Sequence, residues 1–161
     1  MNLEQQIQVL IDQAPQDGTM PKVIEAIAPV LTLLANQLRH LEYYILQTLE
    51  QGWVMTTLSN RAQPEVEKNV IYAFPTLKDA ADFQSVSDPQ IIAKAVPVTH
   101  ILFQMLALDP VTSTVFFDTP GNLTAGTEVR REDLQHLIQM QLQHMQSVPR
   151  SYPSNVPPDI A

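Results

Sequence analysis

Residues 43–58 read YYILQTLEQGWVMTTL, and the architecture turns on how the first seven of them fold. Tyr43–Leu49 is rich in strand formers, and Glu50-Gln51-Gly52 would turn it back onto Trp53–Leu58 as a strand pair. Helical spacing argues the other way. Leu31, Leu34, Leu38, Leu41, Ile45 and Leu49 recur at intervals of three and four, an apolar stripe that runs through to Gly52 as a C-terminal cap. The stripe favours helix, so residues 1–52 are expected to be helical, with Pro29 kinking or splitting the long second helix.

Upstream, Leu3, Ile7, Leu10 and Ile11 share one face of a helix over 3–14 that ends near Pro15. Thr19 or Met20 then caps the second helix, with Pro21 in its first turn. Downstream, WVMTTL at 53–58 and VIYAF at 70–74 read as adjacent strands. Thr76 and Asp79 form a capping-box-like pair opening a short helix that buries Leu77, Ala80, Ala81 and Phe83. Ile91–Val96 reads as a strand, Pro97–Leu108 as a helix exposing His100 and Gln104, and Ser113–Asp118 as a strand ending in the turn DTPGN. A final amphipathic helix covers 131–146 through Leu134, Leu137, Ile138 and Leu142. The fold class is therefore α/β (α+β): a small mixed β-sheet of about four strands covered by helices, one domain over 1–146 whose sheet-containing part is 53–146. The segment 147–161 holds four prolines and little to bury, and is expected to be a disordered tail.

Composition narrows the function. With 161 residues, 45% of them hydrophobic, the chain can bury a single core. It has no cysteine, which removes disulfides and thiolate chemistry and makes the cytoplasm the simplest setting. MNLEQQIQVLIDQ lacks the basic start and apolar run of a secretory signal, and no apolar stretch approaches the roughly 20 residues of a membrane span, so a soluble protein is expected. Seventeen acidic against nine basic side chains leave a net charge of −8, which repels a phosphate backbone and argues against nucleic acid. Arg130-Arg131, the one adjacent basic pair, is offset by Glu128, Glu132 and Asp133 and reads as a solvated helix start.

No catalytic, cofactor or metal site is expected. His40, His100, His136 and His144 all fall on expected helices, His40 and His100 as surface residues. His136, Met140 and His144 line up at i, i+4 and i+8 and offer two imidazoles and a thioether to a soft metal, but nothing completes the set. Asp118-Thr119-Pro120-Gly121 departs from the protease Asp-Thr-Gly motif by its proline and is what a β-turn after a strand requires. The four glycines build no phosphate-binding loop. What remains is aromatic surface. Trp53, Met55, Tyr72 and Phe74 are expected to alternate onto one sheet face, with Tyr43 and Tyr44 nearby, partly core and partly a surface for a partner peptide or protein.

From Trp53 to Ile138 the order of features resembles the N-terminal domain of the SseB (enhanced serine sensitivity) family. WVMTTL, then IYAFPTLKDAADF with Phe74, Thr76, Ala80 and Phe83, then VPVTHILFQMLAL and VFFDTPGN carry the likeness; Thr56-Thr57 replaces the family's strand-to-proline step. The resemblance implies a non-enzymatic interaction or accessory module and supplies no catalytic residue. The expected function is thus a non-catalytic adaptor that binds a partner peptide or protein. The alternatives are an assembly factor for a larger cytoplasmic complex such as a carboxysome, a small metal-binding protein or enzyme, and a homo-oligomer paired through the leucine stripe.

Overall fold

The computed structural model describes residues 2–50, 52–60, 62–84 and 88–147. In chain order the elements are α1 (Leu3–Gln13), α2 (Met20–Asn36), β1 (Glu42–Thr48), β2 (Thr56–Asn60), β3 (Gln63–Phe74), α3 (Leu77–Phe83), β4 (Ile91–Pro97), α4 (Val98–Ala107), β5 (Ser113–Phe117), β6 (Gly126–Arg130) and α5 (Arg131–Ser147). The fold is α+β, with six strands where about four were expected; the additional ones are β1 and β6. Of the expected tail, Ser147 ends α5, and 148–161 lie outside the described residues.

The helical reading of residues 1–52 is corrected at its centre. The second helix stops at Asn36, and Glu42–Thr48 is a strand. Tyr43 and Ile45 point to one side and are fully buried, while Leu46 is buried on the other, so both faces of β1 are covered. A strand apolar on both faces reads as a continuous hydrophobic run, in which a helical stripe can always be traced. Two leucines of that supposed stripe, Leu41 and Leu49, are 50% and 58% exposed, which a core-facing helix would not permit. Pro29 does not split α2, which runs through it from Met20 to Asn36.

The caps show why the first helices begin where they do. Asn2 and Gln5 form a reciprocal box, the Asn2 side chain accepting from the Gln5 amide at 2.8 Å and the Gln5 side chain from the Asn2 amide at 3.0 Å. At α2 the expected Thr19 cap is absent. Asp17 takes its place, its carboxylate accepting from the amides of Thr19 and Met20 at 2.9 and 3.0 Å, which holds its pKa below the ordinary carboxylate value.

The sheet is mixed, in the order β4-β1-β3-β5-β6. β3 is antiparallel to β1 and parallel to β5, and β2 pairs with the N-terminal half of β3. Its first face carries Tyr43, Ile45, Ile71, Ala73, Val96 and Phe116 and packs under α1, α2, α4 and α5. The second face carries Leu46, Phe74 and Phe117, and among the described residues α3 is the helix that packs over it. Arg131, read from sequence as solvated, is instead largely buried: its guanidinium donates to the carbonyls of Met105 and Leu106 at 2.9 and 2.8 Å and so caps the end of α4.

Candidate functional site

The six aromatic and thioether residues singled out from sequence do not form one surface. Tyr43 and Phe74 are fully buried. Tyr43 meets Phe116 edge-on at 5.0 Å on the first face, and burial raises its hydroxyl pKa above the ordinary 10.0. Phe74 and Tyr72 join Phe83 and Phe117 on the second face, with ring centroids 4.9 to 5.7 Å apart, and Tyr44 packs on the same side. Trp53 lies on the opposite face, packed against the first core through its bridge to Gln47. Met55 is 39% exposed. Counting alternate residues failed here because residues 53–55 belong to no strand, so the parity of β2 does not extend back to Trp53.

The histidines divide by environment. His40 lies in the α2–β1 connection, not on a helix, and its Nε2–H donates to the Asp118 carbonyl at 2.7 Å. His100, on α4, is half-buried rather than a surface residue; its Nε2–H donates to the Gln6 carbonyl at 2.9 Å, and burial lowers its pKa below 6.5. His136, Met140 and His144 are exposed along α5. The turn after β5 has Gly121 at φ 82°, and its amide donates to the buried Asp79 carboxylate at 2.9 Å, tying that turn to the start of α3.

A cavity of about 570 Å³ opens on the first face between α1, α4, β1 and β4, lined by Trp53, Phe103, Lys94, His100, Gln104 and Gln47. Gln47 is 5% exposed and lines the cavity; the enclosed, unpartnered polar atoms among the described residues are Thr114 Oγ1 and Asp118 Oδ1, so the Gln47 amide is not one of them. Gln6, 1% exposed, shows what a buried amide ordinarily achieves: it accepts from the Thr99 amide and hydroxyl at 3.1 and 2.8 Å and donates to the Leu41 carbonyl at 2.8 Å. The cavity is also electrostatically distinct. Its lining includes the Lys94 ammonium and no carboxylate, whereas the neighbouring groove between α1 and α2 contains Glu4 and Glu25.

Beside this cavity runs a free strand edge. β4 pairs with β1 along its whole length, Glu42 opposite Pro97 and Thr48 opposite Ile91, and no described strand lies on its other side. The Leu49 amide bonds the Gln90 carbonyl and the Val98 amide the Leu41 carbonyl, so by antiparallel alternation Ile92, Lys94 and Val96 spend their backbone groups on β1. Ile91, Ala93, Ala95 and Pro97 face outward. The Ile91 amide is used by the Asp88 carbonyl, leaving the amides of Ala93 and Ala95 directed at solvent.

Sequence reasoning did not single out Gln6, Gln47 or Lys94. Gln47 carried a usable signal, a polar residue within a continuous apolar run, but the helical reading hid it. Among the described residues no helix is long and apolar enough to cross a membrane. No protein-family model matches the chain, and neither does any curated protein.

Proposed function

We propose that this chain is a non-catalytic binding module, an adaptor of the SseB-like kind in a cytoplasmic setting, which takes an extended segment of a partner protein along the free edge of β4. The observation that carries this reading is the coincidence of two features: outward backbone groups at Ala93 and Ala95, and a cavity beside them with Trp53 in its wall. An added strand satisfies the edge, and its alternate side chains enter the cavity. Of the residues first assigned to the partner, Trp53 keeps that role; Tyr43 and Phe74, fully buried, support the core. A second copy is a poorer occupant, because antiparallel self-pairing centred on β4 sets Lys94 directly against Lys94. The leucine stripe offers self-association no help, since it ends with α2.

The test is Ala95→Pro. The Ala95 amide gives β1 nothing, so proline there preserves the sheet yet blocks a further strand. A displayed library of extended peptides, panned against both forms, should yield binders that change Trp53 fluorescence in the wild-type chain and lose affinity in Ala95→Pro. Trp53 is the only tryptophan in the sequence, so the signal reports the cavity wall directly. Binders indifferent to Ala95→Pro would place the partner elsewhere.

A further inference from the structure

Resting on that reading, we infer that the cavity beside β4 selects a carboxylate side chain, so that the partner segment is an extended strand with an aspartate or glutamate aimed at Lys94 and Gln47. Two independent observations lead there. Gln47 is a polar residue 5% exposed in the cavity wall, its amide open to the cavity and not among the enclosed unpartnered polar atoms of the described residues. A polar group in the wall of a largely apolar cavity is the kind that orients a ligand there. Its NH₂ donates and its carbonyl accepts, so by itself it specifies only a polar ligand.

Charge decides the class. In a chain of net charge −8, the cavity lining contains Lys94 and no acidic side chain. Charges more than a Debye length away, roughly 8 Å at physiological salt, are screened, so a ligand group beside Lys94 responds to the ammonium rather than to the net charge. A carboxylate there accepts from the Lys94 ammonium and the Gln47 amide together, and such charge-assisted bonds are the stronger kind. His100 adds no competing negative charge. With Nε2–H committed to the Gln6 carbonyl, the neutral ring keeps Nδ1 as an acceptor. Trp53 and Phe103 give the remainder of the wall an aromatic character suited to apolar residues flanking the acid. Lys94 and Val96 lie two apart on β4 with side chains on the cavity side, and an added strand presents its residues at that same spacing.

The test titrates the full chain, read by Trp53 fluorescence, with a terminally blocked seven-residue peptide alternating threonine and isoleucine around a central glutamate, and with its central glutamine and lysine counterparts. The glutamate peptide is expected to bind the wild-type chain about tenfold more tightly than the glutamine peptide, as expected for a hydrogen bond to a charged group. Added salt should narrow the gap. Lys94→Gln should erase the preference and Lys94→Glu should turn it toward the lysine peptide. Equal binding of the glutamate and glutamine peptides, both lost in Ala95→Pro, would overturn the carboxylate while leaving the strand-edge module intact. Failure of all three peptides to bind would overturn both. A chain whose mass doubles with concentration, and reverts to monomer in Ala95→Pro, would replace the partner segment with a second copy and overturn the inference as well.

Discussion

Gln6 and Gln47 are chemically identical, almost equally buried and 41 positions apart, yet replacing each with methionine should change stability by very different amounts. Methionine preserves much of the volume and removes the amide. At Gln47 the amide opens on the cavity and is not among the enclosed unpartnered polar atoms, so its removal neither strands a partner nor relieves a burial penalty. Gln47→Met should therefore leave the stability of the free protein within about 0.5 kcal/mol of the wild type. At Gln6 the substitution strands the Thr99 amide and hydroxyl and the Leu41 carbonyl, whose bonds to it are 2.8 to 3.1 Å long. With each stranded group costing about 1–3 kcal/mol and partial relaxation expected, Gln6→Met should lose roughly 2–4 kcal/mol. Urea unfolding followed by far-ultraviolet circular dichroism gives both values, provided the slope against urea stays constant between variants. A loss of 1 kcal/mol or more in Gln47→Met would show that its amide is already satisfied in the free protein, and would remove the reason for regarding the cavity as a recognition site. A Gln47→Met chain of unchanged stability that loses the glutamate-peptide preference would assign that amide to recognition rather than to the core.

Other outcomes follow from the fold itself. Gly126→Ala should destabilise by about 1–3 kcal/mol in thermal melting, since a Cβ there would sit 2.8 Å from the Phe116 carbonyl oxygen and force β6 away from β5. Arg131→Ala should lose about 1–3 kcal/mol by uncovering the last carbonyls of α4, and Arg131→Lys should recover only part of this, because one ammonium cannot replace the guanidinium fork. For His100, burial holds the folded pKa below 6.5, so as pH falls from that value the unfolded chain takes up the proton first. This contribution to stability is complete above pH 6.5 and is lost as pH falls through the lowered folded value; His100→Gln should flatten that part of the profile measured by urea unfolding between pH 7 and 5.

Periodicity alone located most of the helices. Leu3, Ile7 and Leu10 mark α1, and Leu134, Leu137 and Ile138 mark α5, because an amphipathic surface helix writes its spacing into the chain whatever it packs against. Strands β4 and β5 and the C-terminal part of β3, residues 70–74, were legible from β-branched and aromatic runs between turn residues, while 63–69 of β3 were not, and the Thr76–Asp79 signal marked the start of α3, where Thr76 Oγ1 accepts from the Asp79 amide at 3.1 Å. β6 was missed. GTEVR pairs with β5 while presenting mainly charged and small residues to solvent, a pattern that a lone sequence shares with a loop.

The sequence by itself thus determined the α+β class, the amphipathic helices, the acidic balance and the absence of cysteine, all of them local or additive properties of the chain. Tertiary structure alone decided that residues 42–48 are a strand, since that depends on β3 and β4 arriving on either side, and helical spacing can be traced through any run apolar on both faces. It also decided which of two like residues is bonded inside the fold and which opens on a cavity. Gln6 meets Thr99 and Leu41 from distant parts of the chain, while Gln47 faces a cavity built by α1, α4 and Trp53, and no local pattern records which partners long-range packing will bring within 3 Å.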